Sequence, residues 1–357
     1  MVVTHFRSAH EVSATPHVVT LGTAGGPRWW SDHQGEPRQG IATAVVVDDG
    51  WYLVDAGSGV GRQIQRAGLS MSDLKGIFIT HMHSDHIVDL GSLMLFAPFE
   101  IKQAGRGPIP LYGPANRSRV TPLSPRATTT PQPVNPDQPG AGIEATFAGL
   151  VNAYSADIND RVMDSLTKGP YDYFAPQDIQ IPDDVAFDPD HNVAPAMEPF
   201  AVFADENVRV TATLVSHHPT APAFAFRFDT DSGSVTISGD TAPCDNLIRL
   251  AHDTDLLLHE VISLETMASM YTDTVMLQAT MDHHRRAHTT AEDAGRIATQ
   301  AGAKTLGLHH LVPSHAPVEV WQKAANTFAG RLVIAQDLDQ ISFERSAQYD
   351  KADHYVA

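Results

Sequence analysis

Three histidines and an aspartate crowd into six residues of this 357-residue chain, at His81, His83, Asp85 and His86. The apolar run Ile77-Phe78-Ile79 precedes them and reads as a buried strand. The stretch from Ile87 to Phe96 follows and reads as a helix. A short loop at a strand end splays side chains into one space. His81 and His83, two apart, can point the same way, while Asp85 and His86 face back from the helix start. Neutral imidazoles bind zinc and similar ions at about 2.0–2.1 Å, and a carboxylate can bind or bridge. A lone histidine is more often an ordinary surface residue, but this grouping points to a metal centre. The chain holds 19 histidines, so position rather than number has to identify the ligands.

The elements that position the cluster fall into three zones. In the first, from about His17 to Asn116, the runs Val18-Val19-Thr20-Leu21, Ala44-Val45-Val46-Val47 and Trp51-Tyr52-Leu53-Val54 read as strands ending in turn signals. Val60, Ile64 and Leu69 punctuate a helix between the last of these and the Ile77 strand. The second zone, residues 117–206, opens on a Pro- and Thr-rich loop over 121–140, and apolar positions then recur at helical spacing from Ile143 to Leu166. It reads as an insertion with one helix of its own, a lid or a dimer arm, because so long a structureless loop is unusual inside a compact domain. The third zone resumes strands at Val208–Val215, Ala223–Phe228, Ser234–Ser238, Leu256–Leu258, Lys304–Leu308 and Leu332–Ala335. Helices are expected from Pro243 to His252, from Thr290 to Ala301 with Thr289 or Thr290 as cap, and from Val318 to Phe328. The whole chain, 1–357, is expected to be one α/β domain carrying that insertion.

Composition narrows the class. A hydrophobic fraction of 42% is that of a globular protein. No apolar stretch reaches the ~18–20 residues of a spanning helix. Nothing between Met1 and His17 resembles a signal-peptide core, and the single Cys244 excludes an internal disulfide. The expectation is a cytoplasmic protein without membrane contact. The formal net charge of −18 disfavours nucleic acid as a partner, since phosphate binding rests on Lys and Arg. Cys244 reads as a small buried residue at a helix start rather than a nucleophile.

The segment His81-Met82-His83-Ser84-Asp85-His86 resembles the His-x-His-x-Asp-His motif of the metallo-β-lactamase superfamily. Further motifs follow in that family's order: Leu21-Gly22-Thr23-Ala24-Gly25-Gly26, Leu53-Val54-Asp55-Ala56-Gly57, Val215-Ser216-His217-His218-Pro219, Ser238-Gly239-Asp240-Thr241 and Leu308-His309-His310. The later ones are short, but their order makes the set specific. His259-Glu260-Val261 and His288-Thr289-Thr290 resemble the His-Glu and His-Ser/Thr pair of the ribonuclease Z and arylsulfatase-like branch, which also argues against a β-lactamase role.

The resemblance implies a four-layer αββα sandwich and a two-metal site, two Zn²⁺ with Mn or Fe as alternatives. His81, His83 and His217 would hold one ion; Asp85, His86 and His310 the second; Asp240 would bridge. The strand at Phe224-Ala225-Phe226-Arg227 favours His217 over His218, and the strand-end position favours His310 over His309. Asp55 would steady a ligand histidine or merely form a turn. Asp85 would also orient the attacking water by accepting its hydrogen bond, and His288, oriented by Glu260, would protonate the leaving group. Trp29 and Trp30, adjacent in a polar loop, either wall a substrate pocket or pack the loop. His283 and His284 are solvated or substrate-facing.

The function expected first is hydrolysis of a small ester-like molecule: a sulfate ester, phosphodiester, lactone or carboxylic ester, hence esterase or lactonase chemistry. The alternative is a tRNA 3′-end endonuclease of the ribonuclease Z type. The acidic balance weakens it, as does the short interval of positions 218–239 between His217 and Asp240, too short for a tRNA-gripping arm. A homodimer is allowed.

Overall fold

The computed structural model describes residues 15–101 and 107–345. The expectation about the N-terminus therefore falls largely outside the described residues. The strands in chain order are β1 (His17–Gly22), β2 (Ala42–Val47), β3 (Gly50–Val54), β4 (Leu74–Phe78), β5 (Ile109–Pro114), β6 (Phe174–Ile179), β7 (Phe200–Ala204), β8 (Arg209–Leu214), β9 (Phe224–Asp229), β10 (Ser234–Ile237), β11 (Leu256–Ile262), β12 (Thr305–Val312), β13 (Arg331–Ile334) and β14 (Gln340–Ser342). They form two seven-stranded sheets, ordered β14-β1-β2-β3-β4-β5-β6 and β13-β12-β11-β10-β9-β8-β7. The α-helices are α1 (Val60–Arg66), α2 (Ser84–Ile87), α3 (Leu90–Phe96), α4 (Ile143–Ala153), α5 (Ser155–Met163), α6 (Asp245–Leu250), α7 (Leu264–Ser269), α8 (Thr274–Ala287), α9 (Ala291–Ala301) and α10 (Val318–Gln322).

Successive side chains of a strand point to opposite faces, and in the central strands both faces are buried. Along β2, Ala42, Ala44 and Val46 pack outward with α1, α3 and α4, whereas Val45 and Val47 pack inward against the second sheet. Between the sheets Phe78 meets Phe226 and Phe228 edge-on, with ring centroids 5.6 and 5.3 Å apart, the arrangement the ring quadrupoles favour. On the far side Leu257, Leu306 and Leu308 pack against Leu247 and Leu250 of α6 and Ile297 of α9. The result is helix, sheet, sheet, helix: the αββα sandwich expected from the sequence. Continuous apolar runs such as Ala44–Val47 follow from burial on both faces.

Several elements depart from the expectation. The helix expected from Ile143 to Leu166 is two, α4 and α5, meeting at Tyr154, and the helix after the histidine cluster is divided into α2 and α3. The segment 117–206 holds not one helix alone but also β6 and β7, which close one edge of each sheet. Strands β11 and β12 run on through His259-Glu260 and His309-His310, beyond the expected Leu258 and Leu308. Thr290, rather than Thr289, caps α9 by accepting the Asp293 amide.

Strands β3 and β4 are parallel, as are β10, β11 and β12. The loops after β4, β8 and β10 and the final residues of β12 itself carry the residues singled out above, so side chains far apart in sequence meet at one edge of the sandwich. Among the described residues no helix is long and apolar enough to cross a membrane.

Candidate metal centre

Two groups of potential ligands share one carboxylate. His81, His83, His217 and Asp240 form the first; Asp85, His86, Asp240 and His310 form the second; within each, one ligand atom per residue lies within 4.8 Å of the others. Asp240 divides its oxygens between them. Its Oδ2 is 3.8 Å from His81 Nε2 and 3.8 Å from His217 Nε2. Its Oδ1 is 3.4 Å from His86 Nε2 and 3.2 Å from His310 Nε2. The arrangement can hold two cations with Asp240 between them. His218 turns away, with Nε2 3.3 Å from the Asp190 carbonyl.

Four of these side chains, His86, His217, His83 and Asp85, are held by hydrogen bonds from outside the two groups. Asp55 Oδ2 accepts the His86 Nδ1 proton at 2.8 Å, and Asp55 Oδ1 accepts the Thr80 amide at 2.8 Å. His217 Nδ1 donates to the Ala287 carbonyl at 2.9 Å. Thr220 Oγ1 lies 2.6 Å from His83 Nε2, and the Gly26 amide donates to Asp85 Oδ2 at 2.8 Å. Bonds at one ring nitrogen aim the other at the shared space.

His310 reaches the site through a bulge. Glu260 pairs with His309 and Val261 with Leu311, which leaves His310 as the extra residue of β12. Its φ of 47° lies in the left-handed region, uncommon for a residue with a side chain. The bulge re-aims the ring toward Asp85 and Asp240, whereas His309 stays buried with Nδ1 unbonded. Gly25 makes room: a Cβ there would come within 2.3 Å of His310 Nδ1.

The electrostatics suit cations. Burial, with His86 and His217 nearby, pushes His81 well below the usual imidazole range, and burial does the same to His217. Both are therefore neutral. Burial opposes a charge on His86, yet Asp240, Asp55 and Asp85 lift its pKa well above normal. Burial likewise opposes ionisation of Asp240, but His310 and His86 hold it well below the carboxylate range. His81 Nε2 and Asp240 Oδ1 are buried and hydrogen-bonded to nothing among the described residues. Buried ionised carboxylates facing imidazole nitrogens are costly unless a positive charge lies between them, and a donor set of imidazole and carboxylate fits zinc and related ions.

Beside this cluster, Glu260 Oε1 accepts the Thr289 and Thr241 amides at 3.0 and 3.2 Å and lies 3.3 Å from His288 Nδ1. Burial depresses the His288 pKa, but Glu260 outweighs it and raises it overall. His288 Nδ1 is 3.9 Å from Asp240 Oδ2.

Residues 35–141 match the family model of the metallo-β-lactamase superfamily. The chain carries a metallo-β-lactamase superfamily domain. It is 28% identical over 307 residues to Ribonuclease Z of Mycobacterium bovis, covering 85% of this chain and 92% of that protein. Among solved structures it resembles human tRNase Z, short form, with a TM-score of 0.60 and 19% identity over 92% of this chain and 100% of that one. It also resembles the metallo-β-lactamase fold protein YhfI from Bacillus subtilis, with a TM-score of 0.56 and 22% identity over 91% and 98% of the two chains. Both likenesses concern the fold.

The candidate site opens into a cavity of about 330 Å³ lined by His83, Asp85, Asp240 and His288, with Trp30, Met267, Tyr271, His283 and His284 among its walls. Trp30 is buried, and its Nε1 donates to the Gly25 carbonyl at 2.6 Å. Trp29 is 96% exposed, so the two adjacent tryptophans lie in different surroundings. Cys244 sits at the start of α6, and burial raises its thiol pKa. The sequence reading overlooked Thr80, Thr220 and the Gly26 amide. Thr80 and Gly26 flank recognised motifs, which is a usable signal; Thr220 has none. It also gave no place to α7 and α8, which wall the cavity.

Proposed function

We propose that this chain is a zinc-dependent phosphodiesterase with two metal ions, acting on RNA in the manner of ribonuclease Z. The observation that carries the hydrolytic reading is Asp240, with one oxygen turned to each histidine group. The phosphodiester bond is favoured because relatives spanning most of the chain are named Ribonuclease Z. They reverse the order expected from composition, where small esters came first and nucleic acid was disfavoured. These relatives lend no support to esterase or lactonase chemistry. A cytoplasmic location belongs to the same reading.

When bound, a pair of zinc ions activates water near neutral pH and polarises the phosphoryl oxygen. The residues of the chain do the rest. His81, His83 and His217 would hold one ion and Asp85, His86 and His310 the other, with Asp240 shared. Asp85 orients the attacking water by accepting its hydrogen bond. Glu260 holds His288 at Nδ1, and His288 delivers a proton from its other nitrogen to the leaving oxygen. Trp30 and Tyr271 offer aromatic walls for a base or an aryl group.

The stretch of segment 117–206 that precedes α4 acts, in this reading, as a lid, while β6 and β7 belong to the sheets. Arg126 Nε donates to Asp282 at 2.8 Å and its NH1 to Gln278 at 3.0 Å, both on α8 beside the cavity. Buried Arg117 joins Asp190 to the Pro219 carbonyl, next to the His217 loop.

A second reading, a small phosphodiester or other ester as substrate, is favoured by two observations. Strands β9 and β10 are joined by a tight turn in which Thr230 bonds Gly233, so no gripping arm emerges there. The net charge is −18, which repels a polyanion. A tRNA precursor and a panel of bis-aryl phosphate, aryl sulfate and lactone, each with and without chelator, separate the two. Endonucleolytic cleavage of the precursor at moderate salt supports the first. Turnover of the small substrates without precursor cleavage supports the second. Chelator-insensitive turnover would contradict both.

A further inference from the structure

We propose that His283, His284 and His288 form a third transition-metal site whose occupation inhibits hydrolysis; this inference rests on the proton-donor role given to His288 above. One nitrogen from each ring lies within 4.8 Å of the others. Ring centroids are 5.4 Å apart for His283 and His284, 5.5 Å for His284 and His288, and 6.0 Å for His283 and His288. His284 and His288 are four residues apart, one on the last turn of α8 and the other its C-cap, a spacing that places two imidazoles on one side of a helix.

An independent observation concerns His284. Both its ring nitrogens are shielded from solvent and neither has a hydrogen-bond partner among the described residues. Imidazole nitrogens shielded from solvent on a half-buried residue normally find at least one partner. Burial also pushes His283 to about 4 and His284 to about 3. Both are neutral at physiological pH and offer lone pairs, so they attract a cation rather than an anionic group. The donor set has no carboxylate. Three imidazoles select zinc, copper, nickel or cobalt over magnesium, calcium or manganese. Glu260 behind His288 Nδ1, at 3.3 Å, completes the carboxylate–histidine–metal pattern that strengthens an imidazole ligand. All three rings line the cavity, so an ion has a route in.

A cation held there takes the nitrogen of His288 that would carry the proton to the leaving group. Excess zinc then removes the acid while the two carboxylate-bearing groups stay intact. The test is equilibrium dialysis of tag-free protein carrying its two tighter ions against rising free Zn²⁺. Zinc per chain and turnover of a phosphodiester with an alkoxide leaving group, which needs the acid, are measured on the same samples, for wild type and for the His283→Gln/His284→Gln variant, each normalised to its own turnover before zinc is added. The expected result is a third, weaker equivalent in the wild type, accompanied by at least about a tenfold fall in turnover; the variant shows neither. His284→Gln alone replaces the double variant if circular dichroism shows that the latter is unfolded.

Absence of a third equivalent, or its persistence in the variant, overturns the site. A third equivalent that is lost in the variant but leaves wild-type turnover unchanged overturns the inhibition and the acid role of His288 together. If the chain takes up one zinc in total and the variant none, the imidazole site stands and the two-metal reading fails.

Discussion

Asp55 Oδ2 lies 2.8 Å from His86 Nδ1, in a buried bond that fixes which nitrogen of His86 faces Asp85, Asp240 and His310. The same carboxylate accepts the Thr80 amide and hydroxyl, so the end of β4 and the start of α2 are tied at one point. Its position at φ 62°, just after β3, is a strained corner held by those bonds.

Replacing Asp55 with Asn keeps the shape and removes the charge behind His86. Affinity for the second metal is expected to fall about 10–100-fold, read by competition with a chromophoric chelator. Unchanged affinity would reduce Asp55 to a turn former.

Glu260→Gln and His288→Ala are expected to retain both metals. Turnover should fall by about 10²–10⁴-fold for substrates with poor leaving groups and much less for nitrophenolate. Equal slowing across a leaving-group series would remove His288 from proton transfer.

Phe228 packs on Phe78 at 5.3 Å between the sheets. Phe228→Ala is expected to cost about 3–5 kcal/mol, measured by chemical unfolding, with unchanged metal stoichiometry in the folded protein. A cost below about 1 kcal/mol would contradict the packing described.

Tyr52 donates its hydroxyl to Asp205 at 2.6 Å, and burial followed by that bond raises its pKa above the usual value. The folded chain keeps this proton at pH values where the unfolded chain has lost it. The stabilisation is therefore complete below about pH 10, the unfolded value, and is lost as pH rises beyond it. Stability of the wild type should decline more steeply above that pH than that of Tyr52→Phe, as followed by urea unfolding across alkaline pH. Parallel declines would contradict this.

The sandwich was legible wherever strands are buried on both faces, as along Ala44–Val47 and Trp51–Val54. Strands β6 and β7 were hidden because they are edge strands. Phe174-Ala-Pro-Gln-Asp-Ile carries a proline and an aspartate, which a central strand would exclude. Helix α8 escaped because few of its residues are buried, Met281 and Ala287 among them, while Val275 and Met276 are exposed. The ligand groups follow short motifs at strand ends and could be read from them. The bulge that turns His310, rather than His309, toward Asp240 could not, since it depends on the register between β11 and β12. Of the cavity walls, Trp30, His283 and His284 were weighed from the sequence as pocket or substrate-facing residues, whereas Met267 and Tyr271 carried no signal there.

Metal content of chelator-stripped, zinc-reconstituted protein, measured by elemental mass spectrometry beside Asp240→Ala, is the most direct measurement. With Asp240 shared between two groups, the wild type should retain about two tightly held ions per chain and the variant fewer than about one. Wild-type protein that takes up no zinc, or a variant that still holds two ions, would contradict a shared dinuclear centre.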